Sequence, residues 1–176
     1  QEIPGYTLLE RIDETRYSEV CRARPDGSAG TVIIKALKLE YHTPLEIARF
    51  KHEYDLIRRI HLEGVVKILD VIEIGTRVAL VLEDFCGISL MEALKGGFSM
   101  ERFLELAVRL SEILGEIHRH NIAHRNIKPS NILLDVQEDI LKITDFGIGA
   151  EFTRMNEENP NPTVMEGTLA YISPEQ

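Results

Sequence analysis

Lys35 stands in Val32-Ile33-Ile34-Lys35-Ala36-Leu37, a run that is otherwise apolar. Burying an ammonium is costly unless an anion meets it, so Lys35 calls for a carboxylate or a phosphate. The alternative is a lysine at a sheet edge whose stem packs while its head reaches solvent. Glu53 lies three residues after Phe50 and four before Ile57, which points it along the apolar stripe of a helix rather than towards water. It too needs a partner, unless it flanks a solvated helix face. In a small sheet-plus-helix unit the two are expected to find each other. Further on, His124-Arg125-Asn126-Ile127-Lys128-Pro129-Ser130-Asn131 precedes Asp145-Phe146-Gly147, then Gly167-Thr168, then Ser173-Pro174-Glu175. The six histidines, at 42, 52, 61, 118, 120 and 124, show no metal-ligand spacing.

These groups need elements to hold them. Strand-like runs Tyr6 to Ile12, Val20 to Ala23 and Thr31 to Leu37, separated by Asp13-Glu14-Thr15-Arg16 and Pro25-Asp26-Gly27, read as three antiparallel strands. Thr43 as N-cap, Pro44 at the first helical position and Glu46 as the acid of a capping box open a helix. Ile47, Phe50, Tyr54, Ile57 and Ile60 carry its apolar face and predict a span from about Pro44 to Ile60. Val65 to Ile74 and Val78 to Leu82 read as two more strands joined by a Gly75-Thr76 turn. Ser99 caps a long amphipathic helix in which Phe103, Ala107, Leu110, Leu114 and Ile117 share a face, ending in basic His118-Arg119-His120. Ile132 to Leu134 and Ile140 to Thr144 are short strands, and Phe152 to Thr163 is an exposed loop rich in Asn, Glu and Pro. The halves divide near Asp84 to Gly87, giving expected domains 1–86 and 87–176.

At 176 residues, 44% hydrophobic and 28% charged, the chain is a folded globular domain with a real core. Its net charge of −9 argues against nucleic acid or an anionic membrane as partner, and a phosphate ligand would have to be met by local groups. Two cysteines, Cys21 and Cys86, make no disulfide framework and fit a reducing cytoplasm. No apolar run is long enough to insert in a membrane, and the first residues are not of signal-peptide type.

In the order of its motifs the chain resembles the eukaryotic-type, serine/threonine protein kinase fold. The resemblance implies an α+β, two-lobed architecture: a five-stranded antiparallel N-lobe sheet with one helix, and a mainly helical C-lobe truncated after Ser-Pro-Glu. It implies ATP and Mg²⁺ as cofactors, with Lys35 on the α and β phosphates and Glu53 as its helix partner. Asp145 matches the metal-binding aspartate and Asn131 the asparagine on a second magnesium, hard oxygen donors of the kind Mg²⁺ takes. Lys128 matches the lysine that steadies the transferring phosphoryl in serine/threonine kinases. Arg125 matches an arginine that docks a phosphorylated activation segment, with Thr163 and Thr168 as candidate phosphosites and Glu157 and Glu158 as competitors for it. Leu82 would be the gatekeeper, the backbone of Glu83 and Phe85 would face adenine, and Ile12, Val20 and Leu133 would sandwich its ring; for Val20 and Leu133 plain core packing is the alternative. Pro4-Gly5-Tyr6, Leu82-Glu83-Asp84-Phe85 and the run Glu166 to Gln176 are similar to the N-terminal kinase-like module of large bacterial multi-domain sensor histidine kinases. Partners would be ATP and either a protein substrate or downstream domains of the same parent chain.

Three positions depart from the kinase pattern. Where Gly-x-Gly-x-x-Gly is expected, the chain reads Asp13-Glu14-Thr15-Arg16-Tyr17-Ser18; without glycine, close backbone approach to phosphate is costly. Asn126 replaces the catalytic-loop aspartate, and an amide orients a hydroxyl but cannot take its proton. Ile33 stands where a small residue usually faces adenine. The expected function is ATP-Mg-dependent phosphoryl transfer to protein hydroxyls, impaired at Asn126. The alternative is a pseudokinase, a regulatory module that binds nucleotide or protein. Without the helices that normally follow Pro-Glu, Glu175 is expected to lack its arginine and the Ser99 helix part of its cover.

Overall fold

Apolar residues alternating with polar ones along extended chain need a sheet with one face buried, and the first half of the sequence builds one. The computed structural model describes residues 3–15, 17–74, 77–147, 150–151 and 169–171. Strands β1 (Tyr6–Glu14), β2 (Ser18–Pro25), β3 (Val32–Leu37), β4 (Ile68–Ile74) and β5 (Arg77–Glu83) form one antiparallel sheet in the order β1-β2-β3-β5-β4. Ala23, Val32, Ile34, Ala79 and Val81 pack on one face with Ile3. The register pairs Val20 with Lys35, Arg22 with Ile33 and Lys35 with Leu80, so these residues share the opposite face. Helix α1 (Pro44–Ile57) lies against β4 and β5. The Thr43 hydroxyl accepts from Glu46 N at 3.3 Å, and the helix buries Phe50, Glu53, Leu56 and Ile57. The architecture is the expected α+β one, with five strands and one helix in its first unit.

Two boundaries differ from the sequence reading. The helix stops at Ile57, not Ile60; Ile60 is buried outside it, so apolar spacing overran the helical backbone. Strand β4 starts at Ile68, not Val65. Val65 instead forms a parallel bridge with Ile143, with Val66 N donating to Ile143 O at 2.9 Å and Ile143 N to Gly64 O at 2.8 Å. The chain accordingly forms two compact units, residues 1–58 with 67–84 and residues 59–66 with 85–176.

In the second unit, β6 (Ile88–Ser89) leads into the short helix α2 (Leu90–Ala93), and α3 (Met100–Arg119) follows. Strand β7 (Ile122–Ala123) precedes β8 (Ile132–Asp135), β9 (Ile140–Ile143) and β10 (Ala150–Glu151). The sheets are β6-β8-β9 and β10-β7. Ser99 caps α3, its hydroxyl accepting from Arg102 N at 3.2 Å, as expected. The expected face is covered with one exception: Ile117 is buried and Ala107, Leu110 and Leu114 are half-buried, whereas Phe103 is 53% exposed and Leu106 is buried in its stead. Leu106 lies about 60° round the helix from Phe103 and packs with Ile132, Leu134 and Leu141, which covers the start of the helix on that side. Among the described residues no helix is long and apolar enough to cross a membrane.

Gly87 fixes how the chain enters this unit. A Cβ there would collide with the Phe85 ring and lie 2.9 Å from the backbone C and O of Leu134, which cannot yield as a side-chain end can. Gly87→Ala is expected to destabilise by about 1–3 kcal/mol, the usual range for overpacking, read as a lowered urea midpoint at unchanged m-value.

Candidate active site

In the first unit, β3 brings Lys35 and α1 brings Glu53 to the same sheet face. Lys35 Nζ donates to Glu53 Oε2 at 2.7 Å, with the side chains 14% and 1% exposed. The Phe50 ring lies 5.4 Å from the ammonium and adds cation–π attraction. Neither residue points to solvent, so the solvated alternatives for both fall away. The pair leaves the ammonium near the surface and the carboxylate fully enclosed, the polarity suited to offering positive charge to an anion while its counter-ion stays covered.

The turn after β1 is closed upon itself. Thr15 Oγ1 accepts from Ser18 N at 3.0 Å and from Tyr17 N at 3.3 Å, and lies 2.9 Å from Ser18 Oγ. Thr15 N donates to Ser18 O at 2.8 Å and Glu14 N to Asp13 Oδ1 at 2.8 Å. The backbone amides of Glu14, Thr15, Tyr17 and Ser18, among those a glycine loop would aim at phosphate, are thus spent inside the turn. Lys38 donates to Glu14 and holds that carboxyl below its usual range, and Tyr17 meets Tyr41 edge-to-face at 5.1 Å. The glycine-free turn is tied to the segment leading into α1. Ile12 is 48% exposed, Val20 and Ile33 are half-buried, and Leu82 is buried. Glu83 accepts from Lys67 N through its carboxylate at 2.9 Å and donates through its own N to Lys67 O at 3.0 Å.

In the second unit, Asn126, Asn131 and Asp145 meet. Asp145 Oδ2 accepts from Asn126 Nδ2 and from Asn131 Nδ2, each at 3.3 Å. Asn131 Nδ2 also donates to Asn126 O at 2.9 Å, and Thr144 N donates to Asn131 O at 3.0 Å. Buried His124 bonds both segments that carry this cluster. Its Nδ1 accepts from Asn126 N at 3.2 Å, which puts the proton on Nε2, donating to Thr144 O at 3.0 Å. Its ring stands 4.3 Å from that of Phe146, which is fully buried. Arg125 and Asp145 take left-handed backbone, with φ of 64° and 70°. Such strain in side-chain-bearing residues persists where surrounding contacts over-determine it. Lys128 and Leu133 are half-buried, Leu133 pairing across the ladder with Lys142.

A divalent cation fits this donor set. Amide and carboxylate oxygens from Asn131 and Asp145 are hard ligands, and Mg²⁺ commonly takes only one or two from protein. Among the described residues no cluster of three or more His, Cys, Asp or Glu competes as a metal site. Thr163, Gly167, Thr168, Ser173, Pro174, Glu175 and the acids Glu157 and Glu158 lie outside the described residues.

Two placements escaped the sequence reading. Lys142 is 9% exposed, its Nζ 5.2 Å from the Phe85 ring centroid. The signal was present, a lysine between Leu141 and Ile143, and is the same one that flagged Lys35. Asp84 Oδ2 accepts from Arg22 Nε at 2.8 Å and Thr31 Oγ1 at 2.6 Å, tying the end of β5 to β2 and the start of β3. No local spacing announces that contact.

The family described as protein kinase domain matches residues 6–176. A probable serine/threonine-protein kinase of Clostridium acetobutylicum is 33% identical over 97% of this chain and 26% of its own length. A Corynebacterium efficiens protein described among serine/threonine-protein kinases is 34% identical over 98% of this chain and 34% of its own. A serine/threonine-protein kinase of Mus musculus is 30% identical over 97% of this chain and 13% of its own. The chain thus spans about a quarter to a third of the bacterial relatives it matches.

Proposed function

The chain belongs to the protein kinase domain family, and from that premise we propose that it is a serine/threonine kinase module. It transfers the γ-phosphoryl of ATP to protein hydroxyls with an impaired catalytic loop. The observation that carries the reading is the meeting of Asn126, Asn131 and Asp145 at hydrogen-bond distance. Bound Mg²⁺ would neutralise phosphate charge, with Asn131 and Asp145 as its protein ligands. Lys35, held by Glu53, would orient the α and β phosphates. Glu83 and Phe85 would offer backbone groups to adenine, with Ile12, Val20 and Leu133 against its ring. Lys128 would steady the moving phosphoryl, and Asn126 would orient the attacking hydroxyl without accepting its proton, leaving water or phosphate to do so.

A second reading is a pseudokinase that binds nucleotide and passes a signal to other domains of its parent chain. Asn126 and the turn after β1, where the amides of Thr15, Tyr17 and Ser18 are already used, favour it. A thermal-shift titration tests the part common to both. ATP with Mg²⁺ at about 100 Kd is expected to stabilise the chain by about 2.7 kcal/mol, and Asp145→Ala to reduce that shift. No shift with ATP overturns both readings. A shift without phosphate incorporation into the chain or a basic protein substrate leaves the pseudokinase.

A further inference from the structure

Past the last ladder pair of β5, side chains take over. Glu83 makes that pair, with Val32 of β3, and Asp84 follows it. The Asp84 side chain is 6% exposed, and its Oδ2 accepts from Arg22 Nε at 2.8 Å and from Thr31 Oγ1 at 2.6 Å. Arg22 also bonds Glu10 through Nη1. One row of side chains thus joins β1, β2, the start of β3 and the end of β5, and Arg22 stands on the sheet face that carries Val20, Ile33 and Lys35. Asp84 Oδ1 is also buried and has no hydrogen-bond partner among the described residues. A carboxylate arranged for stability alone would use both oxygens, most simply against a two-pronged arginine, and a buried oxygen left unsatisfied costs free energy. The arrangement at Asp84 suits placement better than stability.

What it places follows from the covalent chain. The Glu83 carbonyl belongs to the peptide before Asp84 and the Phe85 N–H to the peptide after it. Each peptide is planar, so the two backbone dihedrals of Asp84 set the angle between that acceptor and that donor. Resting on the reading in which those two groups meet adenine, we propose that Asp84 is a positioning residue for the base: its tie to Arg22 and Thr31 fixes its dihedrals, so that acceptor and donor stand ready for the purine edge. Loss of the tie leaves only a fraction of molecules with that spacing, and apparent affinity falls by the same fraction. In the same reading the phosphates are held at Lys35, Asn131 and Asp145 and do not depend on the tie.

Isothermal titration of the chain in Mg²⁺ with ATP, adenosine and inorganic triphosphate, each carried to saturation, separates base from phosphate. Asp84→Ala is expected to weaken ATP and adenosine about tenfold, as a competent fraction of about one tenth requires, and to leave triphosphate within about twofold of the parent. Thr31→Val removes one of the two donors at nearly constant shape and should move the same two probes by about threefold. Asp84→Asn keeps an acceptor for both donors and should recover most of the loss seen in Asp84→Ala. Urea unfolding checks that each variant is folded. Equal weakening of all three probes overturns the proposal, since a packing fault does not distinguish base from phosphate. Asp84→Asn as weak as Asp84→Ala overturns it too, because charge rather than position is then what Asp84 supplies. So does unchanged ATP affinity in Asp84→Ala or, where that variant does not fold, in Thr31→Val; ATP bound by the parent then leaves the nucleotide reading standing. A parent that binds triphosphate as tightly as ATP and does not bind adenosine removes the base from the site, and one that binds none of the three removes the nucleotide reading; the proposal falls with either.

Discussion

Asn126→Asp is expected to raise phosphoryl transfer by roughly 10²–10⁴-fold, the contribution of a positioned general base. The acid would arrive in a prepared place. Asn126 N is bound to His124 Nδ1 at 3.2 Å and Asn126 O receives Asn131 Nδ2 at 2.9 Å. Both are backbone contacts of residue 126 and survive the substitution. A carboxylate there differs from the amide in the one respect that matters to an attacking hydroxyl, an oxygen able to take its proton. Labelled phosphate from ATP, followed into the chain and into a basic protein, measures the gain. Asp145→Ala in the same background should remove the signal. Absence of incorporation in both the parent and Asn126→Asp refutes the kinase reading and leaves the pseudokinase.

Lys35→Met is expected to cost about 3–5 kcal/mol of stability as well as nucleotide binding, because removing one partner of a buried ion pair strands the other charge. Glu53 is the group that loses its ammonium: its side chain is 1% exposed and lies 2.7 Å from Lys35 Nζ. Lys35→Met/Glu53→Leu should regain most of the stability, since apolar residues of similar volume often replace buried pairs without loss. It should regain none of the ATP-dependent thermal shift. Urea unfolding of the two variants separates the roles: equal instability in both would mean that packing, not charge, is what Lys35 provides.

Much of the site was legible because its signals are local. A lysine inside an apolar strand and a glutamate on an apolar helix stripe each announce an unmet charge, and they meet across β3 and α1. The turn chemistry after β1 was legible as a loss of glycine. That Thr15 and Ser18 would consume the turn's own amides was not, since it depends on one hydroxyl reaching three residues ahead. Lys142, between Leu141 and Ile143, carries the same local mark as Lys35, a lysine in an apolar strand. The face of α3 was legible in Ala107, Leu110, Leu114 and Ile117 but not at its start, where Leu106 rather than Phe103 is covered.

Read alone, the order and types of residues determined β1 to β5, β8 and β9, both long helices with their Thr43 and Ser99 caps, and which charged and amide groups are candidates for the chemistry. These follow from periodicity and from the cost of hiding a charge, properties of a segment and its immediate neighbours. Tertiary structure decided that Leu106 rather than Phe103 is covered at the start of α3, where Val65 pairs, how Asp84 is tied to Arg22 and Thr31, and that one oxygen of Asp145 receives two amides. Those contacts join residues far apart in the chain, and their energy depends on distance in space, which no local pattern encodes.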